Sequence, residues 1–491
     1  MKHTITNIIE AQENGLKTRK ETFFDEGHLQ NALHDVKQNG QDIIIYFTLN
    51  VGDYDPLHLL SEDLDSTICP EFYWDQPDSQ KSFIAGKPEY EVVPQSTHHF
   101  SELSTKYRSC KTFDISTDGE AEHGSIPCWI GGLQFDANNA QKSSFHQSRF
   151  IIPKWIYLND KGTTWLRIYY KLESSDTFGQ VTQQLKNNLN EQIRLLNSIS
   201  FDKSLSKTLS KDDPIDVSVI NQNDEKTYWK RAVEQIKQQI AAREIQKLVL
   251  ARQLHVKIHG KRAKVEIMDY LRREYPECTN LLVRVDDESY FISSTPEHIL
   301  TINNRQFYTE SLAGSSSRGS EVVADQKNRY DLLSSSKNLH EHRIVRDDIL
   351  CQLENYIKDI TFPKSPEVKQ LTNVQHLFTP IEGTIINGAD AFNILAQLHP
   401  TPAVGGYPRY NINSMIKDLE GFERGWYASP VGWLDENGDA EFVVAIRCGY
   451  ISPDHALLYA GCGVVRASDP IEEWEETKLK FRPLLHAIRQ Q

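Results

Sequence analysis

Residues 281–310 read L-L-V-R-V-D-D-E-S-Y-F-I-S-S-T-P-E-H-I-L-T-I-N-N-R-Q-F-Y-T-E. Four short apolar or alternating runs, 281–286, 290–294, 298–302 and 306–310, are separated by triplets of turn character at 287–289, 295–297 and 303–305. Such short connections have no room for the crossover helix that parallel neighbours require, so the spacing predicts antiparallel strands. Towards the C-terminus, the runs 428–434 and 441–451 are joined through D-E-N-G, a hairpin signal. Towards the N-terminus lies an expected strand at 247–258, its even positions Leu248, Leu250, Leu254, Val256 and Ile258 mostly apolar. Before it, Trp229, Val233, Ile236 and Ile240 form one stripe of a helix over 225–243. Further helices are expected at about 325–358, 389–398 and 471–488. In the first half, strand-like runs occupy 42–49, 128–136, 150–158 and 164–172, followed by a helical segment around 181–196. Strands cluster instead of alternating with helices. The fold class is therefore α+β, and the pattern argues against an open parallel dinucleotide-binding sheet.

At 491 residues and 39% hydrophobic, the chain can bury a large core and has the length of two to three domain-sized units. The stretch 201–216, FDKSLSKTLSKDDPID, is poor in large apolar residues. It reads as a connection, dividing the chain near residue 215 into a strand-rich N-terminal half (1–215) and a C-terminal region (216–491). No sequence repeat is visible. A net charge of −14 argues against a nucleic-acid partner. No apolar run approaches the ~18 residues of a membrane span. The opening MKHTITNIIEAQENG has neither a signal-peptide core nor transit-peptide composition, so a cytoplasmic location is expected. Cysteines 69, 110, 128, 278, 351, 448 and 462 form no C-x-x-C pair and suit reduced thiols.

Residues 469–480, D-P-I-E-E-W-E-E-T-K-L-K, carry the densest chemistry. A helix places Glu473, Glu476 and Lys480 on one face, about a quarter turn from the stripe of Trp474, Phe481, Leu485 and Ile488. Two carboxylates a turn apart suit a hard cation such as Mg2+, and the lysine suits an anion held by that cation. An acidic face turned to solvent is the ordinary alternative. Glu341 lies on a line with Val345, Ile349 and Leu353, where burial is costly unless the carboxylate is paired or metal-bound. Glu297 follows Pro296 at a turn, Lys247 starts a strand, and Arg447 interrupts an apolar run opposite Phe442, Val444 and Ile446. Simple exposure would account for each of them. Gly461 and Gly463 would admit an anion to the backbone or allow close strand packing. No P-loop, nucleophile elbow or H-E-x-x-H is present.

Ten segments in order complete the reading: K-L-V-L-A-R (247–252), S-S-T-P-E (293–297), L-A-G-S-S-S-R-G (312–319), H-E-H (340–342), P-I-E-G-T (380–384), L-H-P-T-P-A-V-G-G-Y-P (398–408), R-G-W-Y-A-S-P-V-G-W (424–433), A-I-R-C-G (445–449), A-G-C-G-V (460–464) and the acidic helix. Together they closely resemble the chorismate-utilising enzyme family, specifically its isochorismate-forming branch. The first half matches more thinly, at F-I-A-G (83–86) and W-I-G-G-L-Q-F-D (129–136). The resemblance implies large, layered, mostly antiparallel sheets flanked by helices, with chorismate as substrate and Mg2+ as cofactor. It implies Glu341 and Glu476 as metal ligands with Glu473 nearby or bound through water, Lys247 as the base activating water for attack at C2, and Glu297 as the acid protonating the departing C4 hydroxyl. Arg447, Lys480 and the Gly461–Gly463 backbone become carboxylate anchors. Gly314, His399, Ala403 and Tyr427 join the substrate-binding set. Glu297 must then stay protonated near neutral pH, which burial and neighbouring carboxylates favour.

Within the family, Lys247, Glu382 in place of the lysine of P-I-K-G-T, and the absence of L-L-E-S favour water over ammonia, so no glutaminase subunit is expected. Salicylate-forming relatives resemble H-P-x-x-T, whereas this chain has Ala403 followed by Val404. Ser315–Ser317 depart from the usual threonine and basic residues. The long N-terminal half is similar to the menaquinone-pathway version more than to the shorter siderophore version. A non-catalytic, Mg2+-dependent chorismate-binding protein is the alternative of another class.

Overall fold

The computed structural model describes residues 23–39, 41–60, 70–117, 124–137, 147–198, 216–220, 224–259, 263–319, 321–372 and 374–489. The expected connection at 201–216 lies outside these, Asp216 apart, as do Cys69 and the N-terminal fifteen-residue stretch. The six described cysteines are free. Among the described residues, no helix is long and apolar enough to cross a membrane.

Two sheets, of 13 and ten strands, make the body. Pairing is antiparallel except where Ile43–Gly52 lies parallel to Lys111–Asp114. In the run Ile43–Phe47 every residue is buried, but alternate residues serve different cores. Ile44 and Tyr46 face the core between the sheets, with Trp74, Trp129 and Phe442. Ile43, Ile45 and Phe47 face a second core with Leu29, Val181, Leu271 and Phe481, contributed by helices covering the larger sheet. Period-2 side chains on a strand covered on both faces give this unbroken apolar run.

The strands expected in 281–310 exist as Thr279–Arg284, Tyr290–Thr295, His298–Asn303 and Gln306–Ser317. The first two pair with each other, as do the last two, but the two hairpins lie in different sheets. The chain crosses from one sheet to the other at Pro296–Glu297. The expected strand 441–451 likewise divides: Ala440–Val444 forms the hairpin with Pro430–Leu434, and Cys448–Ile451 joins the other sheet. The run 150–158 divides at Lys154 between Arg149–Pro153 and Trp155–Asp160. The helix expected over 325–358 is two, Val322–Ser334 and Ser336–Leu353, because Ser335 caps the second by accepting from the Asn338 N–H at 3.3 Å.

Strands from both sides of residue 215 share each sheet, Phe72–Gln76 pairing with Thr279–Arg284 and Trp129–Gly132 with Pro430–Leu434. About each of these central pairs the inner strand order reads as a mirror image. The topology repeats where the sequence does not.

Candidate active site

Two of the sheet crossings run side by side. The Val444 N–H donates to the Glu297 carbonyl at 2.9 Å, the Ser294 N–H to the Arg447 carbonyl at 3.2 Å, and the Thr295 hydroxyl to the Val444 carbonyl at 2.6 Å. Glu297 and Arg447 are thereby presented into one cavity of about 390 Å³. Arg447 does not alternate within a strand, as the sequence suggested; it sits at the break, with φ of 48°. Its guanidinium is buried and makes no ion pair or hydrogen bond among the described residues.

The third wall is the helix Pro470–Arg489. Its rear face is fixed by buried Trp474, Phe481 and Ile488 and by Arg252, which donates to the Thr477 hydroxyl at 2.8 Å and lies 3.7 Å over the Trp474 ring. Its front face turns Glu473, Glu476 and Lys480 into the cavity. Lys480 is 2.7 Å from Glu476 and donates to the Gly461 carbonyl at 2.7 Å. Glu341 enters from the helix Ser336–Leu353, whose Val345, Ile349 and Leu353 are buried as the stripe requires. Lys247, on the strand Lys247–His259 and almost wholly buried, reaches Glu341 at 2.9 Å. Gly463, two strand positions from Gly461 on the neighbouring strand, makes this pair possible. A Cβ there would lie 2.5 Å from Glu341 Oε1 and 2.7 Å from Lys247 Cε. Gly314, with φ of 78°, occupies a backbone region that side chains rarely adopt. Ala403 and Tyr427 also line the cavity.

Of the residues expected from sequence, two do not line the cavity: Lys247 lies just behind its wall, held against Glu341, and His399 is not brought in at all. It is buried elsewhere, bonded through Nε2 to the Phe135 carbonyl at 3.0 Å and packed edge-on against the Phe135 ring. Burial holds it down to about 3, so it is a neutral framework residue. Glu382 is exposed and also outside the cavity. Among the lining residues, Lys337 and His376 were missed. Lys337 pairs with Glu473 at 2.9 Å. His376 shares a 2.9 Å hydrogen bond with Ser315, while its buried Nε2 has no partner among the described residues. Burial, with the cations Arg447, Lys480 and Lys369 around it, pushes His376 well below its ordinary value. A histidine inside the strand run V-Q-H-L-F-T was the available signal.

The electrostatics divide the carboxylates. Burial, and next to it the charge of Glu310, pushes Glu297 up to about 7 against the pull of Lys247, Lys369 and Lys480. Burial and then the charge of Glu476 raise Glu473. Although burial opposes it, Glu476 is held low by Lys480, Lys337 and Arg447. Among the described residues, no three His, Cys, Asp or Glu side chains stand together as a ready-made cation site; Glu341, Glu473 and Glu476 each hold a lysine instead. The repulsion between Glu473 and Glu476 is nonetheless what a divalent cation relieves, and oxygen donors on one wall suit a hard ion.

A cavity lined by a carboxyl group raised to about 7, a buried guanidinium and further oxygen donors, with a buried lysine just behind, suits acid–base chemistry on a small anion. The chorismate binding enzyme profile matches residues 30–489. Isochorismate synthase MenF of Bacillus subtilis is 28% identical over 467 residues, 93% of this chain and 96% of that protein. The salicylate biosynthesis isochorismate synthase of Pseudomonas aeruginosa is 27% identical over 466 residues, 94% of each. The solved structure of MenF, the menaquinone-specific isochorismate synthase of Escherichia coli, superposes with a TM-score of 0.72 at 26% identity, covering 94% of this chain and all of that one. With the profile spanning nearly the whole of both sheets and the helix that closes the cavity, the chain belongs to the chorismate-binding enzyme family.

Proposed function

We propose that the protein is an isochorismate synthase, an isomerase that adds water at C2 of chorismate and expels the C4 hydroxyl. The observation that carries this reading is Glu297, a buried carboxyl group held near 7 in the cavity that also receives Arg447 and Lys480. Hydroxide is a poor leaving group, so the departing oxygen needs a proton, and Glu297 is the group kept able to give one. Lys247 takes the proton of the attacking water. A base must have a lone pair to offer, so the 2.9 Å contact of Lys247 with Glu341 would have to be released, as it would be if Glu341 held a cation. One water enters and one leaves, and the ring double bonds move from C1–C2 and C5–C6 to C1–C6 and C4–C5. Arg447 and Lys480 anchor substrate carboxylates, with the Gly461–Gly463 backbone beside them. Glu341 and Glu476 would hold Mg2+, with Glu473 nearby; when bound, Mg2+ supplies charge stabilisation for a ring carboxylate.

Water as nucleophile requires no ammonia-donating subunit. Ala403 and Val404 offer no hydroxyl to hold the product for pyruvate elimination, which favours release of isochorismate intact. Menaquinone biosynthesis is the pathway supported by the E. coli likeness. Chain length does not itself separate the pathways, since the P. aeruginosa relative matches over the same span. Purified protein, chorismate and Mg2+, followed by chromatography, test the reading. Isochorismate without pyruvate is expected, with conversion also running backwards from isochorismate. Stoichiometric pyruvate would reassign the protein to salicylate formation, an ammonium-dependent amino product to the amine branch, and binding without turnover to a non-catalytic protein.

A further inference from the structure

Behind Glu297, outside the cavity, lies an ion pair with no substrate to meet, its carboxylate buried and its lysine partly exposed. Lys369, on the edge strand Glu367–Gln370, places its ammonium 3.0 and 3.1 Å from the two carboxylate oxygens of Glu310 and donates to the Pro296 carbonyl at 2.9 Å. Glu310, on the strand Gln306–Ser317 and 2% exposed at its side chain, accepts from the His298 N–H at 3.1 Å and the Tyr308 hydroxyl at 3.3 Å. The residues on either side of Glu297 are thus both tied to this pair. Neither partner lines the cavity. Neutral groups could make the same hydrogen bonds, so the buried charge itself needs a reason, because a charge is costly to desolvate.

We propose that Glu310, clamped by Lys369, is the positioning residue for Glu297, holding the sheet crossing that presents it and setting the charge balance it feels. The groups facing Glu297 are mostly cations: Lys247 from its strand, Lys480 from the C-terminal helix, Arg447 from the adjacent crossing and Lys369 itself. These would strip the proton from an acid. Glu310 is the carboxylate that acts on Glu297 most strongly, and it acts in the opposite sense. The inference rests on the acid role proposed for Glu297.

The test is the pH dependence of kcat/KM for isochorismate formation at saturating Mg2+, in wild type, Glu310→Gln and the neutral pair Glu310→Gln/Lys369→Met. In Glu310→Gln the alkaline limb should move down by about one pH unit, giving about tenfold lower rates on the alkaline side and near-normal rates on the acid side. In the double variant, which also loses a cation, the limb should return part of the way. Infrared titration of the Glu297 carboxyl in substrate-free enzyme, with Glu297→Gln as blank, should show the same displacements. That readout needs no turnover, so it decides the inference even if the proposed reaction fails. An unmoved limb and unmoved titration, or an equal loss at all pH values in both variants, would overturn it.

Discussion

Glu297 joins two properties that rarely coexist at neutral pH: it is ringed by cations, yet burial and Glu310 raise it to about 7. Glu297→Gln and Lys247→Ala should each lower turnover by about 10²–10⁴-fold, and the double variant should lose less than the product because both groups serve one displacement. As pH rises through about 7, Glu297 loses its proton, so the alkaline side of the rate profile should fall there. The same shift acts on stability. A carboxyl raised in the folded state contributes stability fully present below its unfolded value, and lost as pH rises through about 7. Glu297→Gln should flatten that part of the curve of unfolding free energy against pH, measured by urea titration. At this scale the sequence was informative wherever residue type and chemistry coincided. Lys247, Glu297, Glu341 and the acidic helix converge as the motifs implied. His399 does not, because a motif histidine can serve a loop's packing as readily as a ligand, and His376 was marked only by its place as a lone histidine in an apolar strand run.

The elements that hold these side chains include two long helices, one of them capped by a side chain. Ser335 both ends one helix and starts the next, orienting the turn that brings Lys337, Asn338 and Glu341 to the cavity. Ser335→Ala should cost about 1 kcal/mol in chemical denaturation and weaken activity more than a surface serine would. The proposed cation ligands Glu341 and Glu476 come from different helices, so the ion would join two elements. A chelator should abolish turnover and Mg2+ restore it, while Glu476→Gln should raise the Mg2+ concentration needed for half-activity without changing the circular dichroism spectrum. Full activity in excess chelator would exclude this arrangement. Strand existence was legible in the alternation of 281–310 and 428–451; sheet membership was not. The turn at 295–297 was visible, but nothing in the pattern tells a crossing from a hairpin turn, and the break at 445–447 leaves no trace in hydrophobic period. Those breaks are where the chemistry sits.

Across the whole molecule, neither side of residue 215 completes a sheet alone. Expressed without 1–215, the remainder would expose the edges of Thr279–Arg284 and Pro430–Leu434, which in the intact chain are mid-sheet. Residues 216–491 alone should therefore aggregate or run as a large oligomer in size-exclusion chromatography, and co-expression with 1–215 should restore a discrete species. A monodisperse, active fragment would contradict this. The α+β class and antiparallel character were readable from connection lengths, while the mirrored strand order was not, since equivalent strands share no residues that a repeat search would find. That mirror has a meaning for ancestry. An antiparallel pair at the centre of each sheet is the seam a two-fold symmetric dimer would leave if its half-length subunits were later fused into one gene. The crossings that hold Glu297 and Arg447 in one copy then correspond to Gly86–Lys87 and Lys154 in the other. Of the two topologically equivalent sets of crossings, one carries the acid and the guanidinium, and the other lies outside the cavity.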